Sequence, residues 1–173
     1  ALASEREELP GRGNDLRACD VAKEIDPNIR TLAKGAHFNI FDRETMENHP
    51  ELDLVLRGEY EPACAELARG DAVEEVLGVT WRDGDGAIRR NPDRPFTQDL
   101  DEFNFPARHL LKNELYLRPD TGEKQTTLVT NRGCPHHCVF CLANQVAGTR
   151  NRYRSVENVM AEIRECVELH GIR

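Results

Sequence analysis

Between residues 15 and 70 helix-like and strand-like signals alternate, and each strand-like run ends in a glycine. "DLRACDVAKEID" sets Leu16, Cys19, Ala22 and Ile25 on one helical stripe, with Asn14 or Asp15 as a cap and Pro27 as a stop. A buried strand is predicted over Ile29 to Ala33, running into Gly35. "DRETMENHP" reads as a short helix closed before Pro50. "ELDLVLRGE" is a clear strand, with Leu52, Leu54, Val55 and Leu56 running into Gly58. "EPACAELARG" is a helix with Pro62 in its first turn and Gly70 past its end. This order predicts a parallel sheet with helices on its faces. In such sheets ligands bind beyond the carboxyl ends of the strands, which is where Gly35 to His37 and Gly58 to Glu61 fall. Two strands are few for an open α/β sheet, so further strands are expected upstream.

The rhythm then changes. Val79 to Arg82 and Ala87 to Arg90 flank "DGDG", a strong hairpin signal. Residues 91–125 hold Pro92, Pro95, Pro106 and Pro119, the composition of an interdomain linker, partly anchored by Phe103, Phe105 and Leu110. A strand is predicted over Thr126 to Thr130, then a loop rich in cysteine, then a helix over "SVENVMAEIRECVELHG". In that helix Val156, Val159, Met160, Ile163 and Val167 form the apolar stripe, Ser155 is the N-cap and Gly171 the C-cap. The reading is α/β in three parts: a partial α/β domain over 1–75, a hairpin and linker over 76–124, and a first βα unit over 125–173.

Composition narrows the function classes. The net charge of −8 argues against a general nucleic-acid binder, which needs basic surface to neutralise phosphates. The alternating Arg150, Arg152 and Arg154 of "RNRYR" read as a solvated loop. No apolar run is long enough for a membrane span. The first residues carry neither the basic nor the apolar part of a secretory signal. With six cysteines, three of them clustered and three scattered, a reducing, cytoplasmic setting with one metal site is expected, rather than a disulfide framework.

The cluster lies in "NRGCPHHCVFC", where Cys134, Cys138 and Cys141 have the spacing C-x3-C-x2-C. Zinc favours four tetrahedral ligands, usually from paired knuckles. No second pair follows here, although His136 or His137 could supply a fourth ligand. An iron–sulfur cluster suits three thiolates, and a [4Fe–4S] cube held by three cysteines leaves one iron open to a substrate or cofactor. Gly133 permits the turn off the strand end.

The spacing, with Phe140 directly before the third cysteine, resembles the radical S-adenosylmethionine superfamily. The resemblance implies that Cys134, Cys138 and Cys141 hold a [4Fe–4S] cluster. Its open iron would chelate S-adenosylmethionine and reductively cleave it to methionine and a 5′-deoxyadenosyl radical, with Phe140 near the adenine. In this picture His136 and His137 are bystanders. "RYRS" before the last helix resembles the same family, in a subgroup with an N-terminal cobalamin-binding domain. "AKGAHFN" is similar to that subgroup's G-G-x-H strand end, with a single glycine, Gly35. "LDLVLRGEYEPACAEL" is similar to its D-x-V-V-x-G-E-G-E segment, with Tyr60 in place of the second glycine. By this analogy Gly35, His37, Gly58 and Glu59 lie near cobalamin.

The fold so implied is a partial Rossmann-like cobalamin-binding domain, a hairpin and linker, and the first βα unit of a radical S-adenosylmethionine (β/α) barrel. A complete barrel needs about 200 residues or more, so the chain is expected to be a fragment spanning a domain junction and inactive by itself. The parent enzyme would use cobalamin for methyl transfer to, or oxidative cyclisation of, an unactivated carbon. Its expected partners are a small-molecule substrate and an electron donor such as ferredoxin or flavodoxin. The alternative is a non-catalytic zinc or iron–sulfur module with a structural or interaction role.

Overall fold

The computed structural model describes residues 12–172, with side chains described from residue 16 onward. They divide into two compact units, one ending at Phe96 and the other beginning at Thr97.

The first unit is an α/β layer structure. In order it contains α1 (Arg12–Ile25), β1 (Leu32–Lys34), α2 (Ala36–Ile40), α3 (Asp42–Asn48), β2 (Leu54–Leu56), α4 (Glu61–Arg69), β3 (Val79–Arg82) and β4 (Ile88–Arg90). The four strands form one sheet in the order β1-β2-β3-β4. Only β1 and β2 run parallel; β3 pairs antiparallel with β2, and β4 with β3. The sheet is therefore mixed, which corrects the parallel sheet expected from the alternation. The physical reason is the hairpin: its turn, closed by the Asp83 N–H to the Ala87 carbonyl at 2.9 Å, returns β4 beside β3. β3 meanwhile occupies the free edge of β2.

Side-chain alternation along β2 feeds both faces. Val55 packs with Leu16 and Cys19 of α1, Ala33 of β1 and Met46 of α3. Leu54 and Leu56 point the other way, toward Ala63 of α4, Val76 and Val79. Trp81 lies partly buried on this second face, and its indole N–H donates to Asn91 Oδ1 at 3.0 Å. Asn91 in turn donates to the carbonyls of Val73 and Val76. α4 begins with Pro62 in its first turn and ends at Gly70 in the left-handed region, as its sequence requires. α1 starts earlier than expected, so Asn14 and Asp15 lie inside it, and Ile25 at the end of its stripe is 75% exposed.

A buried polar knot ties α3 to the sheet. Asp42 accepts from Thr80 Oγ1 and from Arg90 Nε, and lies 3.4 Å from Arg57 Nε. Arg57, 3% exposed, also donates to the Asn91 carbonyl at 2.6 Å and pairs with Asp93. A buried charge survives when it is paired, as Arg57 is with Asp42 and Asp93.

The second unit is built differently. Three 3₁₀ turns, Leu100–Glu102, Arg108–Leu110 and Asn113–Leu115, precede β5 (Asn131–Arg132), α5 (Ala143–Ala147), β6 (Arg152–Tyr153) and α6 (Val156–His170). β5 and β6 pair antiparallel as a two-stranded sheet. Residues 126–130, read from sequence as a strand, carry no ladder. Guanidinium groups take their carbonyls instead: Arg108 donates to Thr127 O at 3.0 Å and Arg154 to Val129 O at 2.9 Å. Both arginines converge on Glu162 of α6, whose carboxylate takes Arg108 at 2.6 Å on one oxygen and Arg154 on the other. Arg108 and Glu162 are 2% and 1% exposed. α6 keeps its predicted caps: Ser155 Oγ accepts from the Asn158 N–H, and Gly171 is left-handed at φ 62°. Its buried line, however, is Glu162 and Cys166, while Val156, Met160 and Val167 of the expected stripe are exposed. Among the described residues no helix is long and apolar enough to cross a membrane.

Candidate metal centre

The cysteine loop leaves β5 and returns through α5 to β6, so the register Asn131↔Tyr153 and Arg132↔Arg152 sets its base. Gly133 makes that base possible. It sits at φ +92°, and a Cβ there would fall 2.0 Å from the Arg150 carbonyl oxygen and 3.1 Å from that of Ala147. Only glycine allows the two passes of backbone to approach so closely. The Cys134 N–H then donates to the Gly148 carbonyl at 3.0 Å, closing the loop one residue further in.

Within the loop, the Cys141 N–H donates to the Cys138 carbonyl at 3.0 Å, and the Ala143 N–H reaches Cys141 Sγ at 3.5 Å. Cys134 is half-buried, and Cys138 and Cys141 are exposed. All three are free thiols. Phe140 is 88% exposed beside them. The remaining cysteines are a different population. Cys19 and Cys166 are buried and Cys64 is half-buried, and burial pushes all three thiols above their ordinary pKa. The soft donors that lie together on one loop are therefore Cys134, Cys138 and Cys141.

The donor set fits an iron–sulfur cluster in kind: three accessible thiols on one loop with a fixed base, one of them already accepting a backbone N–H. The thiols are not gathered about a common point, because among the described residues no group of three His, Cys, Asp or Glu side chains converges as a metal-holding set. Neither histidine completes a tetrahedral zinc set. His137 Nδ1 lies 2.9 Å from Asn144 Nδ2, and His136 is exposed.

The second candidate site lies at the carboxyl ends of β1 and β2. Their parallel register sets Lys34 beside Leu56, so both following loops leave from the same end. Gly35 (φ +134°) turns the chain into α2, and Gly58 (φ +67°) turns it toward α4. Asn39 Oδ1 accepts from the Gly58 N–H and joins the two loops. The half-buried His37 ring packs against Phe38 and Phe41, with centroids 5.3 and 5.1 Å apart. Lys34 Nζ sits 4.3 Å above the Tyr60 ring. Glu59, directly after Gly58, is buried at 5% exposure. Gly35, His37 and Gly58 therefore share one strand-end region. Sequence reasoning missed Asn39 and the Lys34–Tyr60 pair. The only sequence signal for either is position, just past a strand end.

No family model matches the chain. Among curated proteins, it is 34% identical over 157 residues to an uncharacterized methyltransferase of Pyrococcus horikoshii, covering 88% of this chain and 34% of the relative. It is 28% identical over 166 residues to the anaerobic magnesium-protoporphyrin IX monomethyl ester cyclase of Rubrivivax gelatinosus, covering 90% of this chain and 29% of that protein. Among solved structures it resembles the cobalamin-dependent S-adenosylmethionine radical enzyme OxsB with aqua-cobalamin and S-adenosylmethionine bound. There the TM-score is 0.72 at 18% identity, over 95% of this chain and 23% of that one. The chain thus spans about a third of the length of the curated relatives it matches. By name its curated relatives are methyltransferases and cyclases, among them the cobalamin-dependent radical SAM methyltransferase TokK of Streptomyces tokunonensis, 26% identical over 73% of this chain and 19% of that protein.

Proposed function

We propose that this chain carries the cofactor-holding part of a radical S-adenosylmethionine methyltransferase acting on a small molecule. The observation that carries the reading is the loop from Gly133 to Cys141, whose base is fixed by a glycine and whose three thiols are free. Cys134, Cys138 and Cys141 would hold a [4Fe–4S] cluster, and Phe140 would flank the adenine of S-adenosylmethionine. The first unit would hold cobalamin at the strand ends, with Gly35, His37, Gly58 and Glu59 as its neighbours. On this reading residues 1–75 belong to the cobalamin-binding domain, 76–124 to the connection and 125–173 to the start of the barrel. When bound, the cluster supplies the single electron that S-adenosylmethionine cleavage requires, delivered by a donor such as ferredoxin or flavodoxin, and cobalamin supplies a methyl carrier.

This chain's own residues do the holding. Gly133 and the Gly148 carbonyl keep Cys134 at the loop base. The Ala143 N–H directed at Cys141 Sγ offsets negative charge on that sulfur. Asn39 locks the turn at Gly58 and keeps the strand-end mouth in one shape. Oxidative cyclisation is the second reading, favoured by the likeness to the Rubrivivax gelatinosus cyclase over 90% of this chain.

Anaerobic reconstitution with iron and sulfide tests the site. The expected result is about four irons per chain, with visible absorption bleached by dithionite. Cys134→Ala, Cys138→Ala and Cys141→Ala should each lose the cluster, whereas Cys19→Ala, Cys64→Ala and Cys166→Ala should keep it. One zinc per chain and no bleaching would move the site to the structural alternative. Separately, aquacobalamin should bind with a measurable spectral shift that Gly58→Val weakens. Equal binding by the variant would remove the first unit from the proposal.

A further inference from the structure

The segment from Thr97 to Phe105 lies against the arginines that flank the cysteine loop, and alternate residues make the contacts. The Thr97 carbonyl accepts from Arg152 Nη1. Asp101 Oδ1 accepts from the Ser155 N–H at 2.9 Å. The Phe103 ring lies 4.3 Å from the Arg132 guanidinium, and the Phe105 ring 5.5 Å from that of Arg154. The intervening Gln98, Glu102 and Asn104 face solvent. Leu100, 2% exposed, anchors the middle, and Asp99 caps the 3₁₀ turn there by accepting from the Asp101 N–H. The segment is a strap, and it is built for the loop's footing.

Arg152 is where strap and loop meet. One side-chain nitrogen donates to the strap at Thr97 O, and the other to the Ala147 carbonyl at 2.7 Å. Ala147 is the last residue of α5, and its carbonyl abuts Gly133. The next carbonyl, that of Gly148, holds the Cys134 N–H. A planar guanidinium can hold two such acceptors in fixed geometry, which an ammonium cannot reproduce. Arg152 is 8% exposed, so this is a buried fixture rather than a surface contact.

We infer that Arg152, backed by the Thr97–Phe105 strap, is a positioning residue for the first cysteine of the cluster loop, acting through the Ala147–Gly148 carbonyls. The inference rests on the cluster reading given above. The test uses the 173-residue chain, reconstituted anaerobically as wild type, Arg152→Lys and Phe103→Leu. Phe103→Leu keeps apolar volume but removes the aromatic face beneath Arg132. Both variants should load a cluster and then release iron to a chelator about 10-fold faster, the effect typical of losing an outer support. Their reduced clusters should also give an altered electron paramagnetic resonance line shape. A purely structural role would lower the unfolding midpoint and leave release rate and line shape at wild-type values, which would overturn the inference. Failure of both variants to fold would overturn it in the same way. A wild-type chain that takes up no iron would instead sink the cluster reading on which the inference depends.

Discussion

In the first unit β2 is covered on both sides. Leu54, Val55 and Leu56 are 4%, 0% and 1% exposed, and ladders run along both edges. In the second unit the extended run 126–130 has no ladder, and it is held by Arg108 and Arg154 through their shared carboxylate, Glu162. One unit rests on apolar contact on both faces of its sheet, with the buried Asp42–Arg57 knot tying α3 to that sheet. The other rests on a buried charge triad, with Leu110, Leu115 and Leu169 at 70% exposure or more. The difference teaches that an extended segment without a ladder can be fixed mainly by guanidinium groups on its carbonyls, here helped by one main-chain bond from the Arg154 N–H to Thr130 O at 3.0 Å.

The sharpest way to break the comparison is Glu162→Ala. It strands two guanidinium groups, one of them 2% exposed, and should cost about 4 kcal/mol. Hydrogen exchange should show α6 losing protection while β2 keeps it; equal loss in both would mean that the triad does not belong to the second unit alone. Next in size is Leu52→Ala, fully buried in the first unit, at about 3 kcal/mol. Here β2 should lose protection and α6 should not. Thr80→Val is smaller, about 1 kcal/mol in urea unfolding, because Asp42 keeps Arg90 and Arg57 when it loses the hydroxyl.

The smallest effect is seen as a pH dependence. The Ser155 hydroxyl and backbone N–H hold the Asp101 carboxyl below the ordinary carboxylate range. A carboxyl with a depressed folded-state pKa stabilises at neutral pH and loses that contribution as pH falls through and below about 4. Wild type and Asp101→Asn should therefore differ at neutral pH and converge in acid. A constant gap across the titration would exclude the ion-specific role of Asp101.

Much of the first unit was legible because its residues obey periodic rules. Val55 alternates with Leu54 and Leu56, "DGDG" turns the hairpin, and Pro62 and Gly70 bracket α4. The mixed sheet was not legible, since alternating elements say nothing about which edge a later hairpin will take. Thr126 to Thr130 read as a strand because threonine and valine favour extended backbone, but extension does not supply a neighbour. The arginines of "RNRYR" read as solvated for an equally physical reason. Charge in sequence looks like surface until its partner is known, and Glu162 sits on a helix whose apolar pattern draws the eye to Val159 and Ile163. At the candidate centre the donors and Gly133 were visible. Arg152 and the strap were not, because their hydrogen bonds join residues 55 and 54 positions apart, through a main-chain carbonyl and a main-chain N–H.

The indole at position 81 is the chain's single tryptophan, and it lies in the first unit with its N–H spoken for by Asn91. Its emission therefore reports on that unit and is blind to the other. Far-ultraviolet ellipticity sums helices from both. Recording the two signals in one titration gives an internal two-channel readout, in which any lag between the curves measures how independently the second unit, which carries the cysteine loop, melts, with no dye or label attached.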